Sequence, residues 1–262
     1  MPATPAPAPA PAERPVALVT GAGRTRGIGA AIARDLAAHG YDVAFTHWSA
    51  YDARMPWGAQ PGAAQAIAAD ITAAGARALP IEADLADPDT PDHLIARTAH
   101  HLAPPTALVM AHCESVDSAI DTTTPDSFDR HMAVNARAAW LLIRAYARAF
   151  TGPHGMGRII ALTSDHTAHN LPYGASKGAL DRITLAAARE LAHLGVCANV
   201  VNPGPVDTGW MSPELAQRMR AATPLGRLGT PADCANLVTF LCSPQGGWIN
   251  GQLLHSNGGL AP

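Results

Sequence analysis

Little of this chain is charged: Asp, Glu, Lys and Arg make up 15% of its 262 residues, and the formal net charge is −3. It has no basic stripe to follow a phosphate backbone, so no nucleic-acid partner is expected. Its four cysteines, Cys113, Cys197, Cys234 and Cys242, are scattered and form no C-x-x-C pair. Neither a disulfide frame nor a zinc site is indicated, and they fit the reduced residues of a cytoplasmic protein. No stretch reaches about 18 uninterrupted apolar residues, so no membrane-spanning helix is expected. Residues 2–12 read PATPAPAPAPA and lack the charged start and apolar run of a secretory signal. Proline alternating with small residues favours extended backbone and buries nothing, so residues 1–13 are expected to be a disordered tail.

What the chain does have is apolar mass, 48% of its residues, enough for one sizeable core. From residue 14 onward, short apolar or β-branched runs at 16–20, 43–46, 76–81, 107–110, 158–162, 198–201 and 252–255 alternate with Ala-rich segments of helical length. Those segments are 28–39, 62–74, 127–150, 174–193 and 232–241. Such alternation is the pattern of βαβ units, whose crossovers make the sheet parallel and cover both faces. With no internal repeat and no shift in composition, residues 14–262 are expected to form one α/β domain. Its architecture would be three layers, doubly wound, with a parallel sheet of about seven strands.

Ligands of such sheets sit beyond the carboxyl ends of the strands, where strand order reverses. The first run leads into Thr20-Gly21-Ala22-Gly23-Arg24-Thr25-Arg26-Gly27-Ile28-Gly29, followed by a helical segment. Glycines there permit a tight turn and bring backbone N–H groups close to a pyrophosphate. The generic G-x-G-x-x-G does not fit, and a glycine-rich turn without a ligand is the alternative. Further on, Leu162-Thr163-Ser164 precedes Tyr173-Gly174-Ala175-Ser176-Lys177. Tyr173 and Lys177, four residues apart on a helix, share a face. A free phenol titrates near 10, and a nearby cation favours its ionised form. Ser164, at a strand end, can donate to a substrate oxygen. An ordinary amphipathic helix is the plainer account of such a spaced pair.

Taken together, these segments resemble the short-chain dehydrogenase/reductase family, especially its single-domain members similar to β-ketoacyl-carrier-protein reductases. Further carriers are Ala83-Asp84-Leu85, Val134-Asn135-Ala136, Asn202-Pro203-Gly204-Pro205-Val206 with Thr208, and the run from Pro224 to Gly259. The resemblance implies a Rossmann fold and an NAD(P)-dependent oxidoreductase. It makes Tyr173 the proton donor, Ser164 the residue that orients the carbonyl, and Lys177 the holder of the nicotinamide ribose. Asn135 would keep a helix open around a proton-relaying water, or serve as a buried structural amide. Gly21, Gly27, Ile28 and Gly29 would cradle the pyrophosphate. Asp84 and Leu85 would meet the adenine, unless Asp84 is a helix cap. Pro203, Gly204, Val206 and Thr208 would hold the nicotinamide end.

Three departures from the family pattern bear on the ligands. Five residues separate Gly21 from Gly27, bringing Arg24 and Arg26 toward the adenosine side. The usual Asn-Asn-Ala-Gly is replaced by Ala111-His112-Cys113-Glu114, and the loop from Ser164 to Tyr173 is short and polar. His112, Glu114, Asp165 and His166, with His169, are therefore expected to line a polar, partly anionic cleft, or else to point at solvent. A zinc site built from His112 and Cys113 is disfavoured, and no metal is expected. The substrate would be a polar small molecule, reduced at a ketone, hemiaminal or iminium carbon. Oxidation of an alcohol, inactivation of a reactive metabolite, or cofactor binding without turnover are the alternatives. No acid ends the second strand at Phe45-Thr46-His47-Trp48, and with Arg24, Arg26 and His47 this leans toward NADP(H) over NAD(H), although Asp52 in the long loop 48–61 can fold back. Residues 205–223, with Trp210, would be a substrate lid or a fixed helical excursion. A homotetramer is the expected assembly, with a dimer as the second choice.

Overall fold

The computed structural model describes residues 14–260, and the expected tail lies outside the described residues. In chain order the elements are β1 Val16–Thr20, α1 Ile28–Ala38, β2 Asp42–His47, α2 Ser49–Arg54, α3 Ala63–Ala73, β3 Ala78–Glu82, α4 Thr90–His101 and β4 Ala107–Met110. There follow α5 Pro125–His131, α6 Ala138–Ala149, β5 Gly157–Leu162, α7 Leu171–Glu190, β6 Val196–Asn202, α8 Pro213–Ala222, α9 Pro231–Cys242 and β7 Leu253–His255.

The strands form one seven-stranded sheet, ordered β3-β2-β1-β4-β5-β6-β7, and every pairing is parallel. Side chains alternate across it. In β1, Ala17 and Val19 enter the core beneath α1, α3 and α9, whereas Leu18 enters the core beneath α4, α6 and α7. Both faces are covered, which is why β1, β4, β5 and β6 read as continuous buried runs. β1 lies between β2 and β4, so strand order reverses there and a crevice opens above their carboxyl ends.

A buried cation braces the opposite end of the sheet. Arg158, on β5, is 2% exposed and spends its guanidinium on carbonyls: Leu241 at 3.0 Å, Gly155 at 2.7 Å and Gly157 at 2.9 Å. Leu241 belongs to the last turn of α9, where free carbonyls and the helix dipole favour a cation.

The structure refines the sequence reading in three places. Residues 127–150 are not one uniform helix, because a π-helical segment, Met132–Arg137, separates α5 from α6. The loop 48–61 contains a short helix, α2. Helix α7 begins at Leu171, with Pro172 in its first turn, where proline's missing N–H costs nothing.

Candidate active site

The crevice floor is the turn from β1 into α1. Gly21 has φ +80°, and a Cβ there would sit 2.6 Å from the backbone of His112. A Cβ on Gly29 would come 2.5 Å from the Gly21 carbonyl oxygen. Both positions are closed to any side chain. Gly27 caps α1 without a side-chain hydrogen bond, and the first turn, from Ile28, carries no acid. Its N–H groups and positive dipole end suit an anion such as a pyrophosphate.

Arg26 turns away from the adenosine side, whereas Arg24 reaches both ways, its guanidinium lying 4.4 Å over the Trp57 ring of the loop after β2. Arg24 donates to Thr208 Oγ1 at 3.3 Å, and Arg26 pairs with Asp207 at 3.0 Å. The longer glycine loop thus leans toward the segment after β6. There Pro203 and Val206 are buried, Gly204 takes φ +62°, and Thr208 is 7% exposed. On the other side, His47 joins Gly23, Ser49, Asp52, Gln60 and Glu82 around a hollow of about 340 Å³. Asp52 has folded back: its Oδ2 would lie 2.6 Å from a Cβ on Gly23. Asp84 is gripped at both oxygens by Arg130, at 3.1 and 3.2 Å, and accepts from the Ala86 amide, so it is not the cap of α4. The Leu85 side chain belongs to the core.

Strand β5 delivers Ser164 just beyond its end, and α7 delivers Tyr173 and Lys177 one turn apart. Lys177 is the only lysine of the chain. It is 2% exposed, and its Nζ donates to the Leu162 carbonyl at 2.8 Å, 5.7 Å from the Tyr173 ring centroid. Burial lowers its pKa, with Cys113 and Asp181 opposing. The Tyr173 phenol is pushed well above its ordinary value, first by burial and then by Cys113, while Ser164 beside it works the other way. This differs from the expected depression by the ammonium. With Nζ turned to Leu162, burial rather than the ammonium sets the direction of the shift.

Ser164 Oγ accepts from the His166 amide at 3.1 Å, leaving its own proton to give. Asn135 sits in the π-helical segment. Its amide bridges the backbone of Glu114 (2.7 and 2.8 Å) and Ser176 Oγ (2.8 Å), tying the end of β4 to α7. Asp165, His166 and His169 are exposed on the loop before α7, and Trp210 is 49% exposed.

His112 and Glu114 do not line an open cleft. His112 is 6% exposed, with Nε2 donating to the Val134 carbonyl at 3.0 Å and Nδ1 accepting from Thr20 Oγ1 at 2.6 Å. Burial lowers its pKa to about 3 and keeps the ring neutral. Glu114, 2% exposed, is paired with Arg54 and with Arg130. The residue after a strand end turns inward as readily as outward, and these turn inward. Sequence reasoning missed Arg54 and Arg130, which no local motif marks. It also passed over Gly174, where a Cβ would lie 2.2 Å from the His166 carbonyl oxygen. The short loop rests its backbone directly on the first turn of α7. Among the described residues no His, Cys, Asp and Glu cluster could hold a metal.

A glycine-lined anion cradle facing a Ser-Tyr-Lys cluster, both above a parallel sheet, defines a dinucleotide-binding oxidoreductase. A family model described as Enoyl-(Acyl carrier protein) reductase matches residues 21–261. An uncharacterised oxidoreductase of Bacillus subtilis is 35% identical over 94% of this chain and 96% of its own length. A blue fluorescent protein from a metagenomic library, solved in complex with NADPH, is 35% identical with a TM-score of 0.84, covering 95% of this chain and 99% of that one. A short-chain dehydrogenase from Burkholderia cenocepacia, solved with NADP, is 36% identical with a TM-score of 0.83, covering 95% and 97%. The chain belongs to the short-chain dehydrogenase/reductase family and is an oxidoreductase of that type.

Two predictions follow from the packing around the site. A histidine kept neutral by burial stabilises the fold above its unfolded pKa, near 6.5, and that contribution is lost as pH falls toward about 3. By about pH 4 the loss should reach about 3 kcal/mol, and His112→Gln should flatten that part of a urea-denaturation pH series. An unchanged slope would contradict the assignment. Gly174→Ala, by pushing the Ser164 loop away, should lower the melting temperature and, in protein still folded at the assay temperature, lower turnover at least about tenfold. Equal turnover in steady-state assays would remove Gly174 from this role.

Proposed function

We propose that this protein reduces a ketone, hemiaminal or iminium carbon of a polar small molecule. The observation that carries the reading is geometric: Ser164 just beyond β5 faces Tyr173, and the buried Lys177 ammonium lies one turn further along the same helix. A bound nicotinamide dinucleotide supplies the hydride. Ser164 holds the substrate oxygen, and Tyr173 gives it a proton as it becomes a hydroxyl. Lys177 would stabilise the resulting phenolate and would hold the ribose hydroxyls of the bound dinucleotide. Asn135 fixes the spacing between β4 and α7.

Asp165, His166 and His169 form an exposed polar rim beside Ser164, and Trp210 offers an aromatic face at the head of the segment before α8. Such a rim favours a hydroxylated or amine-bearing substrate over an aliphatic acyl chain. NADP(H) is the preferred cofactor in this reading, supported by the absence of an acid at the end of β2 and by the relatives solved with NADPH and NADP. NAD(H) is the second reading, favoured by Asp52 and Glu82 beside His47 in the adenosine-side hollow. The exposed small residues Ala175, Gly178 and Ala186 of α7, which share their face with Arg182, and the half-exposed Trp140 support assembly into a homotetramer.

The test is cofactor oxidation with a panel of polar ketones and imines, using wild type and Tyr173→Phe. Turnover should fall about 10²–10⁴-fold in the variant while cofactor binding persists. Turnover within about tenfold of wild type would refute the role of the phenol, and about a hundredfold preference for NADH would decide for the second cofactor reading.

A further inference from the structure

The extension after β2 does not run out into solvent. Tyr51, on α2, lies against the Cys113 thiol and the Ser115 backbone beyond β4. Asp52 is buried against Gly23, and its Oδ1 accepts from Trp57 Nε1 at 2.9 Å. The Trp57 ring in turn carries the Arg24 guanidinium at 4.4 Å. Arg54 stacks on Tyr51 at 5.1 Å and pairs with Glu114. Since β1 lies between β2 and β4, a segment rooted at β2 that reaches the loop after β4 must cross the carboxyl end of β1. That is the line a pyrophosphate would occupy.

We propose that residues 48–57 are a strap across the dinucleotide crevice, latched by Arg54 on Glu114, which lifts to admit and release the cofactor. The proposal rests on the dinucleotide reading above. Its chemistry is that of a latch built to open. Arg54 is 43% exposed at the side chain whereas Glu114 is 2% exposed, so the moving partner is the one already in contact with water. Opening does not strand a buried carboxylate, because Arg130 stays 3.4 Å from Glu114 while also holding Asp84. Removing the sole partner of a buried charge is costly, and a second cation avoids that cost. At the far end Gly58 (φ +68°) and Gly62 (φ +77°) have open space where a side chain would stand, leaving the backbone free to pivot.

The test begins with equilibrium binding of NADPH and NADH to the wild-type protein, followed by cofactor fluorescence. If neither binds, the dinucleotide reading itself fails. Given binding, stopped-flow release is compared between wild type, Arg54→Met and Glu114→Gln, with hydrogen exchange of residues 48–57 in the cofactor-free proteins. Both variants should release cofactor about fivefold faster or more and exchange faster in the strap. Should Glu114→Gln not fold, the exposed Arg54→Met variant decides alone. Release within about twofold of wild type overturns the strap, as does a faster release without faster exchange at 48–57.

Discussion

The bond from the Lys177 ammonium to the Leu162 carbonyl, 2.8 Å long and buried, ties α7 to the end of β5 at the point where both deliver reactive groups. A buried ammonium is expensive to desolvate, and it persists only where fixed dipoles and carboxylates receive it. Here the carbonyl and, one turn on, Asp181 do so. Every other cation of the chain that is not histidine is an arginine. The one lysine stands where a compact charge with a movable pKa serves better than a permanently charged planar fork. Once it is in place, Tyr173 is set one turn earlier and Ser164 two residues beyond Leu162.

The rest of the site is arranged by close approach of backbones. Gly21 and Gly29 bring the glycine loop against β4 and α1, and Gly174 lets the short Ser164 loop rest on α7. Asn135 holds β4 to α7 through backbone and hydroxyl bonds, at the cost of a π-helical turn. Such wide turns recur at functional positions because they re-aim a side chain without ending the helix.

The layered fold was legible because it is written in local patterns: buried runs for strands, Ala-rich helical lengths, and glycines at the first turn. The pairing of Tyr173 with Lys177 was legible for the same reason, since four-residue spacing on a helix is local geometry. What was not legible depends on distant partners. Glu114 reads as a cleft acid until Arg54, 60 residues away, and Arg130 are found beside it. Arg26 reads as an adenosine-side cation, but Asp207 draws it across the crevice. The sign of the tyrosine shift also escaped the sequence, because burial, not spacing, dominates it.

Because the chain holds one lysine, protein carrying lysine labelled with ¹⁵N at Nζ yields one ammonium resonance. This resonance should titrate below the ordinary 10.5 in the cofactor-free protein and shift when NADPH or NADH is added. A resonance that titrates at the ordinary value and ignores both dinucleotides would contradict the placement of Lys177 at the floor of a cofactor site.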